Sequence, residues 1–156
     1  SIPYAIYYAQ AVVNKDSGIK TVEDMRNKKV AAAIGTVPEQ EWLKIAKKWG
    51  VEANYQGYQS ENQVFLAVSQ GKADVGITTN TAVLPIVQQY ETILAGPRMP
   101  WGTDYTSVVG PRLDVTWLNY LNLFVTHQVR SGRYAELWDQ YVGGEAPELR
   151  IPGVLY

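Results

Sequence analysis

The sequence predicts an α/β fold built on a mostly parallel sheet with helices on both faces. Three short apolar strands, at 30–34, 55–58 and 74–78, alternate with segments of helical period. This alternation of strand and helix favours right-handed crossovers between parallel strands. The 156 residues are enough for one well-packed core, or for two lobes that share the chain.

Composition narrows the classes of function. A formal net charge of −1 gives the chain no general electrostatic attraction for nucleic acid or for an anionic membrane. With no cysteine and one histidine, the sequence offers no disulfide, no thiol nucleophile and no zinc site. Gly-rich phosphate loops, nucleophile elbows and zinc-protease motifs are absent from it. We therefore expect no cofactor, no metal, no catalytic residue and no nucleic-acid partner.

Helices are predicted after each of the three strands. After Gly35, apolar residues recur at the spacing of one helix face, at 42, 45, 46 and 49. The letters "SENQ" at Ser60 have the spacing of a capping box and predict the start of the next helix. A third helix is expected to follow Thr79 to Thr81, with Pro85 near its first turn.

The last third of the sequence predicts two further amphipathic helices. Asp114 is suited to cap a long helix with an apolar face, and "RSGRY" turns the chain into a second one. The strands that precede them already have helices of their own, so part of this apolar surface lacks a partner. The Gly- and Pro-rich stretch "GGEAPELRIPGVLY" is expected to run extended over a surface.

The stretch "AAAIGTVPEQEW" allows two interpretations of Thr36. In the structural one, the spacing Thr36 to Glu39 is a capping box, and the hydroxyl serves its own helix. In the functional one, the helix start after a parallel strand offers free N–H groups to an anion or a carboxylate. Both can hold together, because the backbone N–H groups of Val37 or Glu39 can bind a ligand whichever way the threonine side chain turns.

Three ordered landmarks carry a family resemblance. They are "YYAQAVVNKDSGIKTVEDMRNKKVAAAIGTVPEQEWL", then "SENQVFLAVSQGKADVGITT", then "YTSVVGPRLDVTWLNYLNLFVTHQVRSGRYAELWDQYVG". Together they resemble the type 2 periplasmic solute-binding proteins, the amino-acid-binding branch of ABC importers (bacterial extracellular solute-binding protein family 3). The match covers nearly the whole chain.

The resemblance implies a periplasmic-binding-protein-like type 2 fold, with one complete lobe and the closing helices of the other. Residues 1–9 would end the first lobe, 10–106 form the second, 107–142 return to the first, and 143–156 form a tail. The hinge would be the strand pair Ala9–Val13 and Asp104–Val109. On this view the chain is the C-terminal portion of a two-lobed protein. We expect the missing first-lobe segment in a partner chain, or self-association through the closing helices.

The family analogy also implies a binding site. Thr36 and the Val37 N–H would contact the ligand, and the strand end Thr78–Thr79 with Asn80 would face it. Tyr4, Tyr8 and Tyr105, near the crossings, would line the cleft between the lobes, with ordinary packing as the alternative role for each.

The resemblance implies a periplasmic binding protein that feeds a small-molecule ligand to the membrane permease of an ABC transporter. Two alternatives share the fold: the effector lobe of a transcription regulator, and an enzyme of the cyclohexadienyl dehydratase kind. In the family's amino-acid binders an Asp that takes the α-ammonium stands where this sequence has Thr79. Compared with the family, the sequence therefore favours a small organic acid, or another polar or aromatic solute without that ammonium. The alternative is an amino acid-like solute whose ammonium is bound by a carboxylate from the missing lobe.

Overall fold

The computed structural model describes residues 1–149, with only the backbone described at 101–102. These residues form five strands and five α-helices, with short 3₁₀ helices at Glu23–Asn27 and Glu52–Asn54. In chain order the elements are β1 (Pro3–Asn14), β2 (Val30–Ala33), α1 (Val37–Trp49), β3 (Tyr55–Tyr58), α2 (Glu61–Ser69), β4 (Val75–Thr79), α3 (Asn80–Gln89), β5 (Ile93–Ser107), α4 (Val115–Arg130) and α5 (Arg133–Tyr141).

The chain folds into two compact units. One is Tyr8–Gly102, and the other combines Ser1–Tyr7 with the described residues from Thr103 onward. The backbone passes from one unit to the other within β1 and within β5.

The unit Tyr8–Gly102 is built on a sheet of order β3-β2-β4-β1-β5. Strand β2 pairs in parallel with β3 on one side and with β4 on the other. Strand β1 runs antiparallel to β4, with Ala9 opposite Thr79 and Val13 opposite Val75. The sheet is therefore mixed. Strands β3, β2 and β4 are parallel, as expected, whereas β1 is antiparallel to β4.

Helices cover both faces of this sheet, as the sequence predicts. On one face Trp42 and Ala46 of α1 pack against alternate residues of β1, β2 and β4. On the other face Val64 and Val68 of α2, with Val83 of α3, pack against the remaining set. Because side chains alternate along a strand, β1 and β2 each contribute buried residues to both layers.

Sequence signals fix the ends of α1. Thr36 is its N-cap, and the chain leaves the helix through Gly50, which adopts the left-handed conformation that glycine tolerates best. Helix α3 departs from expectation, because it runs Asn80–Gln89 and places Pro85 in its interior rather than near its first turn.

The second unit contains the two helices predicted near the C-terminus. Asp114 caps α4 by accepting a hydrogen bond from the N–H of Trp117 over 2.8 Å. Leu121 and Val125 are buried, but several large apolar side chains of the same helix are exposed, namely Trp117, Leu118, Tyr120, Leu123 and Phe124. No regular element is assigned to residues 143–149, and the rest of the predicted extended tail, 150–156, lies outside the described residues.

Candidate functional site

Three helices begin at the same edge of the sheet in the unit Tyr8–Gly102. Strands β3, β2 and β4 are parallel neighbours, and α2, α1 and α3 follow them in turn. Because parallel strands end at one edge, the three helix starts lie side by side. We call residues 34–39, 59–61 and 78–81 the carboxyl edge.

Gly35 and Thr36 form the turn into α1. Gly35 has a φ of 81°, a conformation that side-chain-bearing residues avoid, and this allows the strand to turn directly into the helix. The Thr36 hydroxyl accepts a hydrogen bond from the Glu39 N–H over 3.3 Å and donates one to the Ala33 carbonyl over 2.7 Å. The capping interpretation of Thr36 is confirmed, and its hydroxyl already has both a donor and an acceptor.

Glu39 completes this turn with a buried carboxylate. Its side chain is 8% exposed, and Oε2 accepts a hydrogen bond from the backbone N–H of Gly35 over 2.6 Å. Oε1 accepts one from the hydroxyl of Tyr55 over 2.5 Å. The glutamate thus reaches back to the residue before the cap, rather than to Thr36 itself as in a standard capping box.

The backbone N–H of Val37 is the remaining hydrogen-bond donor of this turn. Its side chain is 57% exposed, and within residues 1–149 its N–H has no hydrogen bond. Pro38 follows and has no N–H to offer. The start of α1 therefore offers a ligand one backbone donor.

Thr78, at the end of β4, is buried and forms a hydrogen bond with Glu61, a residue that the sequence did not suggest for the site. Its side chain is 1% exposed, and its hydroxyl donates a hydrogen bond to Oε1 of Glu61 over 2.7 Å. Glu61 is the first residue of α2, where the helix dipole favours an acidic side chain. The carboxyl edge thus contains a carboxylate that comes from a neighbouring helix and not from β4.

The next residues along the chain bring Tyr8 to the same edge. Thr79 is the N-cap of α3, and its hydroxyl lies 3.3 Å from that of Thr81. The side-chain oxygen of Asn80 accepts a hydrogen bond from the backbone N–H of Tyr8 over 3.1 Å. Tyr8, Thr79 and Asn80 therefore lie together, all partly exposed to solvent.

Arg98 adds a positive charge beside this group, and sequence reasoning missed it. Its guanidinium carbon lies 4.0 Å from the centroid of the Tyr8 ring, which is the geometry of a cation–π contact. The sequence signal was a single arginine between Pro97 and Pro100. The return strand was predicted at 104–109, but β5 already begins at Ile93. Arg98 therefore lies within β5.

Six of the eight predicted site residues belong to the unit Tyr8–Gly102. The other two, Tyr4 and Tyr105, are part of the other unit and are 37% and 52% exposed. Within residues 1–149 no group of acidic, histidine or cysteine side chains is arranged to hold a metal ion. No helix in this part of the chain is both long enough and apolar enough to cross a membrane.

Two curated proteins are similar to parts of the chain. The probable ABC transporter extracellular-binding protein YckB of Bacillus subtilis is 36% identical over 77 residues, which are 48% of this chain and 25% of that protein. The amino-acid-binding protein AabA of Dichelobacter nodosus is 33% identical over 92 residues, 57% of this chain and 34% of that protein.

Solved structures share the fold over most of the chain. The L-cystine solute receptor of Neisseria gonorrhoeae aligns with a TM-score of 0.75 and 18% identity, over 94% of this chain and 60% of that one. An ancestral amino-acid-binding protein, described as a precursor of cyclohexadienyl dehydratase, aligns with a TM-score of 0.65 and 24% identity, over 91% of this chain and 60% of that one. The chain thus spans less than two thirds of these relatives.

A protein-family model matches more of the chain than either curated relative does. Residues 4–114 match the model of the ABC transporter, phosphonate, periplasmic substrate-binding proteins. These residues are most of the chain, and they include β1 except Pro3, the strands β2 to β5 and the whole carboxyl edge. The chain therefore belongs to this family of periplasmic substrate-binding proteins of ABC transporters, within the type 2 solute-binding fold that its sequence predicts.

Proposed function

We propose that the chain acts in the solute-binding component of an ABC importer and delivers a small polar solute to a membrane permease. The family and the names of the two curated relatives support this class of function. The same relatives support a location outside the cytoplasmic membrane, in the periplasm for the family named.

One observation supports the position that we propose for the site. The Val37 N–H and the group formed by Tyr8, Thr79 and Asn80 lie at the ends of two adjacent parallel strands, β2 and β4. In open α/β sheets, ligands bind outside the carboxyl ends of the strands. We propose that the solute contacts these four residues, with Thr36 and Thr78 holding the backbone around them.

For the ligand, we propose a small anion that has no α-ammonium group. Thr79 supplies a hydroxyl where amino-acid binders have a carboxylate, and the Glu61 carboxylate is bonded to Thr78. Arg98, beside Tyr8, supplies a positive charge on the side of β1. The phosphonate description of the family supports an anion, whereas the name of the Dichelobacter nodosus relative supports an amino acid.

Calorimetric titration of the full-length protein tests the ligand class. The panel contains the twenty amino acids, small carboxylic acids and alkylphosphonates. We expect binding of an acid or a phosphonate that is tighter than binding of any amino acid. Sub-micromolar binding of an ordinary amino acid that is unaffected by Thr79→Ala would contradict the proposed ligand class.

Catalysis is the second candidate, because one solved neighbour is described as a precursor of cyclohexadienyl dehydratase. That chemistry requires an acid or base aimed at the substrate, and the two carboxylates at the carboxyl edge, Glu39 and Glu61, are hydrogen-bonded within the protein. We therefore favour binding over catalysis. Incubating the full-length protein with prephenate separates the two, since turnover would reverse this order.

A further inference from the structure

Arg98 lies in a part of β5 whose backbone is held in place. The next residue, Met99, is 1% exposed and belongs to the core layer that packs against α1. Two residues before Arg98, the carbonyl of Gly96 accepts a hydrogen bond from the side-chain amide of Gln10 on β1 over 3.1 Å. Pro97, which directly precedes Arg98, restricts its own φ to about −65°. The Arg98 side chain therefore starts from a fixed point.

The ring of Tyr8 holds the charged end of this side chain. The guanidinium carbon lies 4.0 Å from the ring centroid, well within the distance of about 6 Å at which a cation–π contact is attractive. Tyr8 is itself held at the carboxyl edge, because its backbone N–H donates a hydrogen bond to Oδ1 of Asn80 over 3.1 Å. At this separation the planar guanidinium rests on the ring face, and its N–H donors lie along its edges. Tyr8 therefore orients the donors of Arg98.

This guanidinium and the Val37 N–H can contact the two ends of one solute. Tyr8 belongs to β1, Val37 follows β2, and β4 lies between these two strands. Neighbouring strands are about 4.8 Å apart, so the two donors are about 10 Å apart. Two hydrogen bonds of about 3 Å each take up part of that distance. The rest suits the outer oxygens of a chain as long as that of glutarate, rather than those of one carboxylate or phosphonate group.

We infer that Arg98 is a specificity-determining residue that binds a second acidic group of the solute. The solute is then a diacid, such as a dicarboxylate or a phosphonocarboxylate. One of its acidic groups accepts the hydrogen bond of the Val37 N–H, and the other forms two parallel hydrogen bonds with the planar fork of Arg98. This inference rests on the proposed function, because it names the class of solute that the same site takes.

Calorimetry on the full-length protein tests for the second acidic group with a matched pair of probes, glutarate and pentanoate. The two acids have the same chain length, and pentanoate lacks one of the carboxylates. We expect the wild-type protein to bind glutarate at least about tenfold more tightly than pentanoate, since hydrogen bonds between charged groups give differences of this size. In Arg98→Gln this preference should be nearly lost, because glutarate binds more weakly while pentanoate binds as before.

Two further variants separate a direct contact from a change in net charge. Arg98→Lys keeps the charge but not the planar fork, and it should keep only part of the preference for glutarate. Lys72→Gln removes the same charge from an exposed residue beyond the C-terminal end of α2, away from the carboxyl edge, and it should keep the whole preference. A loss in Lys72→Gln equal to that in Arg98→Gln would overturn the inference.

If Arg98→Gln does not fold, Arg98→Lys and the wild-type titration still test the inference. Equal binding of glutarate and pentanoate by the wild-type protein would overturn it, as would binding of neither acid by a protein that binds another solute. An undiminished preference for glutarate in Arg98→Gln would overturn it as well. All three results leave the proposed function in place, whereas binding of no solute in the panel would contradict the proposed function and the inference with it.

Discussion

The hydroxyl of Tyr55 donates a hydrogen bond to the Glu39 carboxylate over 2.5 Å, so β3 is tied to the first turn of α1. Burial raises the pKa of Tyr55 above its ordinary value of 10.0, and the hydrogen bond and charge of Glu39 raise it further. Losing the phenolic proton would place two negative charges side by side. The hydrogen bond that joins β3 to α1 therefore persists as long as Tyr55 stays protonated.

This relationship predicts a pH dependence of stability. Because the pKa of Tyr55 is higher in the folded state, its contribution is fully present below about pH 10, the unfolded value, and is lost as pH rises above it. We expect the free energy of unfolding to fall less steeply above about pH 10 in Tyr55→Phe than in the wild-type protein. Urea unfolding across this range measures both slopes, and equal slopes would show that the Tyr55 contact contributes nothing.

For Tyr134, unlike Tyr55, substitution by phenylalanine should not lower the free energy of unfolding. Burial raises its pKa to about 12, with smaller effects from Tyr7 and Tyr4, and its buried hydroxyl has no hydrogen-bond partner in residues 1–149. Removing an unsatisfied buried hydroxyl relieves a cost of about 1–3 kcal/mol. At neutral pH, Tyr134→Phe should leave the free energy of unfolding unchanged or raise it, whereas Tyr55→Phe should lower it by about 1.5–3 kcal/mol. Equal losses in the two variants would contradict this account.

Thr36→Ala should lower stability and leave ligand affinity nearly unchanged. The hydroxyl caps α1 and bonds to Ala33, and loss of a threonine cap costs about 0.5–2 kcal/mol. Thr36→Ser keeps the hydroxyl and should recover most of that loss. Chemical unfolding together with ligand titration of the full-length protein separates the two roles. A tenfold loss of affinity without a change in stability would assign Thr36 to the ligand instead.

The exposed apolar face of α4 predicts that the 156-residue chain associates when it is purified alone. Leu123 is 70% exposed and Phe124 is 52% exposed, and the rings of Trp117 and Tyr120 stack 5.2 Å apart on the same helix. Contiguous exposed patches of this kind mark interfaces. Light scattering should show species larger than a monomer, and Leu123→Glu should shift them toward the monomer. A clean monomer with Trp117 shielded from solvent would count against this prediction.

Local signals in the sequence were enough to predict most of the fold. Strand–helix alternation predicted β2 to α3, and the caps Thr36, Ser60 and Asp114 each accept a hydrogen bond from the helix that they start. The antiparallel pairing of β1 with β4 was not predicted. Partners far apart in sequence, such as Val13 and Val75, leave no local signal of their relative direction.

The candidate site was less predictable, because its chemistry depends on contacts across elements. Glu39 was interpreted as the acidic member of a capping box, since nothing in its neighbourhood in sequence shows that Tyr55 approaches it. Glu61 reaches Thr78 across 17 positions of the chain, and Arg98 reaches Tyr8 from a different strand. Each of these contacts requires the sheet order to be known before the residue can be selected.

The most direct test of the central claim, that a solute binds at the carboxyl edge, is calorimetry on three variants of the full-length protein. The ligand is the tightest binder of the solute panel, and Thr116→Ala on the exposed surface of α4 is the control. Thr79→Ala and Asn80→Ala should each weaken binding by at least about tenfold, since each removes a hydrogen bond to a charged group worth about 1.5–3 kcal/mol. The control should bind as the wild-type protein does. Wild-type affinity in both site variants would contradict the account.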